Sequence, residues 1–388
     1  PFDNMSGDPE QEYFSDGISE DLTTALSRFD GLFVIARNSA FTYKGAAVDV
    51  KRVGQELGVR YVLEGSVRRA GTRVRVNAQL IDAAADRHVW AERFDRQIDD
   101  IFELQDDIVA SIAATVGPEI TLAEIERARH KRPETLDVWD YYLRAIAALH
   151  KMTPDDVAEA IVLLENAIKA EPEFGNAYAL LAQCHLHMGM QGWIKPARQG
   201  FEAASRLAQE AVHLTPSSPE TNQALALVLW ATGDSEQAIT AARRAIDLNP
   251  NYAEAYVVLA FALTFYGDLE GGLAACEKAA RANPRDARGS RLYDAMGHAY
   301  FMLGDYEQAI EVSKKGLLQD PSLMGALVSL AGSYAFLDRQ AEAKRYIDEL
   351  LRLVPRYSLH ALRKNPWFVQ PEHIEKLIEG LRRAGLPE

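Results

Sequence analysis

The 388-residue sequence is short of the residues and motifs that most catalytic or metal sites require. It has two cysteines, Cys184 and Cys276, and it has no CxxC pair, no HExxH motif and no glycine-rich phosphate loop. Histidines and methionines follow Cys184 within residues 185–190, but this stretch ends a predicted helix, so part of it must face the core. We therefore expect no metal site, no cofactor and no catalytic constellation, and we interpret both cysteines as small reduced core residues.

Basic clusters and long apolar runs are also missing. Asp and Glu outnumber Lys and Arg by 56 to 42, which gives a net charge of −14, and neither terminus carries a basic block. Because phosphate contacts need clustered Lys and Arg, we expect no direct binding of nucleic acid. No apolar run reaches the roughly 18 residues of a membrane helix, so we expect no membrane segment within this chain and a cytoplasmic location. A periplasmic location is the alternative if a transmembrane helix lies upstream.

What the sequence does have is a regular spacing of proline in its last two thirds. Six prolines lie 44, 34, 34, 37 and 34 residues apart, and an alanine or glycine stands twelve residues before each of them. A small residue also stands five residues before each proline except the last, where Leu350 is found. The regular prolines are Pro172, Pro216, Pro250, Pro284, Pro321 and Pro355.

This 34-residue period is typical of the tetratricopeptide repeat (TPR), a pair of antiparallel helices. The small residues let the two helices approach closely, and the proline, which lacks an N–H, ends the second helix. We therefore predict that residues 131–388 form an all-α TPR solenoid of about six repeats with C-terminal capping helices. The 44-residue step predicts about ten extra residues inside one hairpin, between positions 189 and 203.

Residues 1–130 lack this period and show the mixed patterns of an α/β domain. An apolar helical stripe begins after Asp8, and a second amphipathic helix starts at Ile98. Apolar and polar residues alternate in the third of four predicted strands, which gives that strand one buried face. The predicted strands are 32–35, 61–67, 72–81 and 88–94. We therefore predict a compact N-terminal domain, built around a mixed sheet, over residues 1–130.

Several segments carry a more specific resemblance. They read NMSGDPE (4–10), YFSDG (13–17), ARNSAFTYKG (36–45), ELGVRYVLEGSV (56–67), WAERFD (90–95) and GLRRAGLPE (380–388). Together they resemble the non-catalytic module of bacterial adenylate/guanylate cyclase-like proteins, in which a domain similar to the TolB amino-terminal domain is followed by TPRs. The resemblance implies an upstream class III cyclase domain or, as in other members, an upstream winged-helix DNA-binding domain. It also implies that the natural protein continues before Pro1 with the family's first strand.

A polar and aromatic loop after the first predicted strand is a candidate ligand site. Its residues are Arg37, Asn38, Ser39, Tyr43 and Lys44. Loops at strand ends are common ligand sites, so this one is a candidate contact for a small molecule or a partner. The alternative is a loop that only closes over the sheet edge.

The concave groove of the predicted solenoid is the main candidate for binding a partner. By the repeat register, one face of each first helix lines this groove, and the face is apolar and aromatic. Such a groove suits an amphipathic helix or an extended segment of a protein or peptide partner. The groove residues are Gln223, Leu227, Trp230, Val257, Phe261, Phe265, Asp294, His298, Phe301 and Phe336.

The alternative for the groove is that the chain fills it itself, or that some of these residues are inter-repeat core. Trp367, Phe368 and the predicted helix 374–381 are candidates for filling the groove or capping the last repeat. A solenoid needs a terminal cap in any case, because its last repeat would otherwise expose an apolar face.

These patterns favour a non-enzymatic module that binds a protein partner and has a regulatory or sensory role in a bacterial signalling protein. The resemblance makes it the C-terminal part of an adenylate/guanylate cyclase-like protein, and such a module can also form a homodimer. Two alternatives stay open: the sensor half of a winged-helix transcription regulator, and a stand-alone envelope-associated TPR scaffold. An enzyme of another type would need converging acid and base groups, which we do not find in the sequence.

Overall fold

The structure, a computed structural model, describes residues 1–29, 32–46, 49–97, 101–131, 136–283, 289–363 and 368–388. Its contacts divide the chain into two compact units, Pro1–Arg144 and Ala145–Glu388. The division predicted from the sequence lies after residue 130. The first unit extends further because Arg144 donates hydrogen bonds to the backbone carbonyls of Ala128 (2.7 Å) and Lys131 (2.6 Å).

A four-stranded mixed sheet forms the centre of the N-terminal unit. The strands are β1 (Asp3–Asn4), β2 (Tyr61–Ala70), β3 (Arg73–Asp82) and β4 (Arg87–Gln97). They lie in the order β1-β2-β3-β4, with β1 parallel to β2 and the other pairs antiparallel. The helices are α1 (Glu12–Leu26), α2 (Arg37–Ala40), α3 (Val50–Leu57) and α4 (Ile101–Arg129), with 3-10 turns at Pro9–Gln11 and Phe41–Tyr43. The predicted mixed sheet is therefore confirmed.

One face of the sheet is buried under α1 and α4. In β3, Val74 and Val76 are buried, whereas Arg75 between them is exposed. Ile18 of α1 and Ile108 of α4 are fully buried in the same apolar cluster. The alternation predicted for this strand thus separates a core face from a solvated face.

The helix α4 is long and strongly apolar. By length and composition alone it could cross a membrane, since an 18-residue window has a mean hydropathy of 1.5, and no other described helix passes this test. Leu104, Ile108 and Ile112 are buried against the sheet, however, which is the usual reason for such a helix in a folded domain. Ile98, where the sequence analysis began this helix, lies outside the described residues.

The predicted strand at 32–35 was wrong. These residues are irregular, and Phe33 is 86% exposed. In the described part of the chain the sheet ends on this side at the two-residue strand β1, and no strand pairs with the segment 32–35. An apolar run forms a strand only where a neighbouring strand supplies hydrogen-bond partners for its backbone.

Helices follow one another through the C-terminal unit. α5 (Val138–Leu149) spans the boundary of the two units and is followed by α6 (Pro154–Ala170). Five helical hairpins come next: α7 (Gly175–Met190) with α8 (Arg198–Leu214), α9 (Pro219–Ala231) with α10 (Ser235–Leu248), α11 (Ala253–Tyr266) with α12 (Leu269–Ala282), α13 (Ser290–Leu303) with α14 (Tyr306–Gln319), and α15 (Met324–Phe336) with α16 (Gln340–Leu353). Two helices end the chain, α17 (Leu359–Leu362) and α18 (Pro371–Arg383).

The repeat register predicted from proline is confirmed. The helices α6, α8, α10, α14 and α16 each end two residues before a regular proline, and Pro284 lies outside the described residues. The small residues of the register are buried where the helices of a hairpin cross. A Cβ at Gly272 of α12, for example, would lie 2.3 Å from Thr264 Oγ1 of α11, so this crossing admits only glycine without a shift.

The extra residues of the 44-residue step lengthen both arms of one hairpin. Compared with α9 and α10, the helices α7 and α8 each have three more residues. The connection 191–197 has four more residues than the connection 232–234. A Cβ at Gly200 would lie 2.9 Å from Gly189 Cα, so these two glycines allow the lengthened helices to stay in contact. The predicted region 189–203 contains this connection and the helix ends beside it.

Candidate functional site

Most of the predicted groove residues are buried, so this face of the solenoid is not an open surface. Gln223 is 2% exposed, Trp230 is 7% exposed and Phe301 is fully buried. Of the ten residues, Asp294 and Phe336 are half-buried and the other eight are buried. All ten lie on α9, α11, α13 or α15, the first helices of their hairpins.

The C-terminal segment, defined here as residues 368–388, covers the groove over α11, α13 and α15. Its helix α18 crosses α15 at a pair of glycines, Gly332 and Gly380. A Cβ on Gly380 would lie 3.2 Å from Gly332 Cα and 2.9 Å from the ring of Phe336. The buried residues of α18 are Leu377, Ile378, Gly380 and Leu381.

Three hydrogen bonds join the C-terminal segment to the carboxyl ends of α11 and α13. The pairs are the Val369 N–H with the Phe265 carbonyl (3.1 Å), the Gln370 side-chain amide with the Tyr266 carbonyl (3.2 Å), and Lys376 Nζ with the Met302 carbonyl (3.0 Å). The last carbonyls of a helix have no partner within it, so these donors satisfy acceptors that the hairpins leave open. The ammonium of Lys376 also suits the negative end of a helix dipole.

A row of aromatic rings lies along the groove from α9 to α13. The ring centroids are 5.0 Å apart for Trp230 and Phe261, and 4.6 Å apart for Phe265 and His298, which stack. Phe368 of the C-terminal segment enters this row, with its ring edge-on to Phe265 at 4.9 Å and 5.5 Å from His298. Each such contact contributes about 0.5–1.5 kcal/mol beyond the area it buries.

Two cations of α18 lie over aromatic rings of the groove. Lys376 Nζ is 5.9 Å from the ring centroid of Phe301 and 5.3 Å from that of Tyr306. The Arg383 guanidinium is 5.0 Å from the ring of Phe336, which stacks on Tyr306 at 4.9 Å. Burial lowers the pKa of Lys376, and the ring faces offset part of the cost of holding its charge there.

His298 is a buried base at the contact between the groove and the C-terminal segment. Its Nε2 is buried and has no hydrogen-bond partner among the described residues. Burial lowers the pKa of His298 to about 3, and the charge of His373 on α18 acts in the same direction. The closed groove therefore favours the neutral imidazole, which stacks on Phe265.

Asp294 lies on the same helix, and its pKa is shifted in the opposite direction from that of His298. Burial raises the pKa of Asp294 to about 7, against the lowering effect of Arg291 and with a further raising effect of Asp320. Its carboxylate lies close to the α15 backbone, where a Cβ at Gly325 would be 2.1 Å from Oδ1. Burial therefore favours the protonated carboxyl at this position.

The upstream part of the groove has contacts between neighbouring first helices. Gln183 of α7 donates its side-chain amide to Gln223 Oε1 of α9 (3.2 Å). Leu227 and Val257 belong to one apolar cluster with Phe261. This part of the structure agrees with the alternative that some groove residues are inter-repeat core.

Family models support the repeat assignment. Two models described as tetratricopeptide repeat match this chain, one at residues 152–190 and 229–295 and the other at residues 290–323. The chain contains TPR repeats. The matched residues include the whole of α6, α7 and α10 and of the hairpins α11/α12 and α13/α14, but only the last three residues of α9.

A Rhizobium meliloti (strain 1021) protein named "Putative adenylate cyclase 3" is 43% identical to this TPR chain over 229 residues. The match covers 59% of this chain and 39% of that protein, so it spans about two fifths of the relative's own length.

Two solved structures are similar to parts of this chain. The APC/C hetero-tetramer Cut9–Hcn1 aligns with 74% of this chain and 49% of its own chain, with a TM-score of 0.50 and 15% identity. A thermophilic TPR protein of Thermus thermophilus aligns with 52% of this chain and 99% of its own, with a TM-score of 0.38 and 23% identity. At 15% identity, the first likeness shows the fold alone.

Part of the segment that covers the TPR groove was predictable from the sequence. Phe368 and the helix 374–381 were candidates for filling the groove, and the structure places them over α11 to α15, whereas Trp367 lies outside the described residues. Gly332 was not predicted as a contact, although a glycine in the middle of a helix is a signal for close backbone approach. Val369 was not predicted either, because its contact is made by the backbone N–H and leaves no sequence signal.

The candidate ligand loop of the N-terminal unit was predicted as a loop, but the structure forms it from the short helix α2 and the 3-10 turn Phe41–Tyr43. Ion pairs hold it to α1. Lys44 Nζ lies 2.5 Å from Asp16 Oδ1 and 2.7 Å from Glu12 Oε1, and Arg37 Nε lies 3.0 Å from Glu20 Oε2. Burial acts to lower the pKa of Lys44, but hydrogen bonds to the two carboxylates raise it overall.

The three other residues of this set, Asn38, Ser39 and Tyr43, are uncharged. The Tyr43 hydroxyl donates to Glu56 Oε2 of α3 (2.7 Å), whereas Asn38 and Ser39 are exposed. The charged and aromatic members of the loop are thus engaged within the unit, which agrees with the alternative of a closing loop.

A crevice of about 1110 Å³ opens beside this loop, and Tyr43 is the member of the candidate loop that lines it. Apolar residues such as Leu57 and Leu63 form part of its wall. Its polar groups pair with one another, as in the hydrogen bond from the Tyr61 hydroxyl to Glu124 (2.8 Å). Burial and then the Glu124 carboxylate raise the pKa of Tyr61.

The two cysteines are free and buried. Burial raises the pKa of both Cys184 and Cys276 to about 12. Among the residues that the structure describes, no three His, Cys, Asp or Glu side chains form a group able to hold a metal ion. Both thiols therefore act as small core side chains.

Proposed function

We propose that this chain is a non-enzymatic protein-interaction and regulatory module of a bacterial signalling protein. The observation that carries the proposal is the groove of the TPR solenoid, which holds an amphipathic helix. It does so through buried apolar residues, ring contacts and hydrogen bonds to helix ends. Solenoids present extended concave surfaces for binding, and a groove of this kind suits a protein or peptide segment.

We infer that the signalling protein is an adenylate/guanylate cyclase-like protein and that this chain is its C-terminal part. The support is the 43% identity with the Rhizobium meliloti protein, of which the matched region is 39%. The catalytic activity then belongs to another part of the whole protein, and this module controls its activity or its assembly as a homodimer. We place it in the cytoplasm.

The N-terminal unit has a sensing or docking role in this proposal. We propose that it is similar to the TolB amino-terminal domain and that the loop Arg37, Asn38, Ser39, Tyr43 and Lys44 faces its ligand or partner. Asn38 and Ser39 are the exposed members of this loop, so they are the ones available for direct contact.

The test uses the Rhizobium meliloti relative, from which the region matching this chain is deleted. We expect the deletion to change the rate of cyclic nucleotide formation or the oligomeric state, with a rate change of about fivefold or more. Replacing the deleted region with this chain should restore the original behaviour. An unchanged rate and an unchanged mass after deletion would contradict the proposed function.

A further inference from the structure

The C-terminal segment reaches further than a terminal cap requires. A cap has to cover only the last repeat, because each repeat of a solenoid contacts only its neighbours. The short helix α17 follows the last hairpin, with Ser358 as its N-cap. The C-terminal segment begins at α11, where the Val369 N–H bonds to the Phe265 carbonyl, and its helix α18 runs across α13 to α15.

The contacts of this segment are those of a bound peptide helix. Leu377 and Leu381 are buried in the groove, and Gly380 lets the backbone of α18 approach α15. The opposite face carries exposed charged residues, among them Glu375 and Arg382. Because that face is solvated in either state, release of α18 exposes one apolar stripe and leaves the rest of the helix in water.

The polar contacts of the C-terminal segment also allow another helix to replace it in the groove. Gln370 and Lys376 donate to carbonyls at the ends of α11 and α13, where water or another donor can take their place. The groove therefore offers the same acceptors to any helix that brings equivalent donors.

We propose that the C-terminal segment is an intramolecular ligand of the TPR groove, and that the groove's partner is an amphipathic helix of the same pattern, which binds when the segment leaves. The pattern is a cation, two apolar residues and, after one intervening position, a small residue and another apolar residue. In this chain these positions are Lys376, Leu377, Ile378, Gly380 and Leu381. The inference rests on the proposed function, because it names the partner and the regulation of the same groove.

Tethering makes the segment a strong competitor. A segment on a short linker has an effective concentration on the order of 1 mM at its own site. With a dissociation constant of about 10 µM for the free segment, the groove would be closed in about 99% of molecules, and the apparent affinity of a partner would fall about 100-fold. Release of the segment then controls binding of the partner.

The experiment measures binding of a fluorescently labelled peptide, residues 368–388, to the full chain by anisotropy. The release variant carries Ile378→Asp and Leu381→Asp, which place carboxylates at buried apolar sites and detach α18. Arg382→Asp introduces the same residue at the next, exposed position and is the matched control. We expect the release variant to bind the peptide about 100-fold more tightly than the wild-type chain and the control do.

Equal binding by all three chains would overturn the inference. So would a release variant that keeps its helical circular dichroism but fails to bind the peptide. Hydrogen exchange of the wild-type chain is a second measurement that needs no variant. The backbone amides of residues 371–383 should exchange through a local opening in which the amides of α11 and α13 stay protected. If the amides of residues 371–383 exchange only when the whole unit unfolds, the inference is also overturned.

The remaining outcomes separate the occupant of the groove from the function of the module. A wild-type dimer that the release variant converts into a monomer would assign the helix to a second copy and overturn the intramolecular assignment. If the peptide binds the release variant but the deletion leaves the Rhizobium meliloti relative unchanged, the inference about the groove stands and the proposed function fails.

Discussion

His298 and Asp294 are four residues apart on α13 and respond to pH in opposite directions. Burial lowers the pKa of His298 from 6.5 to about 3 and raises that of Asp294 from 3.8 to about 7. Because the pKa of His298 is lowered in the closed groove, neutral His298 stabilises the closed state above pH 6.5, and this stabilisation is lost as the pH falls toward 3. Asp294 acts in the opposite direction. Because its pKa is raised in the folded state, its contribution to stability grows as the pH falls from 7 toward 3.8.

We expect acidification to open the C-terminal segment through His298. The variant His298→Phe keeps a ring between Phe265 and Phe368 but removes the titrating group. From about pH 7.5 to about pH 5.5, opening of the wild-type segment should increase about tenfold more than opening of the variant. The measurement is the protection of residues 371–383 in hydrogen exchange at each pH.

The comparison isolates His298 because the other groups are present in both chains. Asp294, His373 and Lys376 titrate in the wild-type chain and in the variant, and burial lowers the pKa of His373 as well. If both chains show the same change of opening with pH, His298 is not the responsible group.

Gly380 determines how closely α18 can lie against α15. A Cβ there would be 2.9 Å from the ring of Phe336 and 3.2 Å from Gly332 Cα. We expect Gly380→Val to destabilise docking of the C-terminal segment by about 1–3 kcal/mol because it overpacks this crossing. Glu375→Val puts the same β-branched residue at an exposed site of the same helix and should cost less than about 0.7 kcal/mol. Equal opening of the two variants in hydrogen exchange would contradict this account.

At the scale of elements, the loop after α2 depends on its ion pairs with α1. Lys44 is 30% exposed and contacts both Glu12 and Asp16, so we expect Lys44→Met to lower the free energy of unfolding by about 0.5–1 kcal/mol. The loss should shrink in about 1 M salt, which screens charges. Urea unfolding of the N-terminal unit measures the change, and Lys51→Met at an exposed site of α3 is the control. An equal loss in both variants would show that the ion pairs contribute nothing specific.

Elements were predictable where the pattern is local. The alternation in β3 requires only that one face of the strand be buried, and Val76 and Arg75 follow it. The segment 32–35 has a similar apolar composition but no partner strand in the described chain, so composition alone misled the prediction. Hydrophobicity indicates burial, whereas a strand also needs a neighbouring edge.

At the scale of the whole molecule, we expect no nucleotide turnover by this chain. Asp294 and His298, the acid and base with strongly shifted pKa values, are packed against α15 and the C-terminal segment respectively, whereas acid–base catalysis needs such groups to face a bound substrate. Purified residues 1–388 with ATP or GTP and Mg²⁺ or Mn²⁺ should form no cyclic nucleotide above a buffer control. Cyclic nucleotide formation by the clean chain would show that it contains a catalytic site.

The sequence by itself determined the solenoid and its register. Each helical hairpin joins residues fewer than about 40 positions apart, so small residues and prolines at fixed offsets are enough to specify its crossing and its end. The burial of Ala238 and Ala245 and the end of α10 before Pro250 follow from that local pattern.

Only the tertiary structure decided that the groove is occupied. Gln370 and Tyr266, which share a hydrogen bond, are 104 residues apart, and no local pattern links them. An amphipathic helix has the same sequence pattern whether it caps a repeat, fills the groove of its own chain or binds another protein. The stacking of the hairpins and the docking of α18 bring Phe368 against Phe265, and both depend on contacts made throughout the folded C-terminal unit.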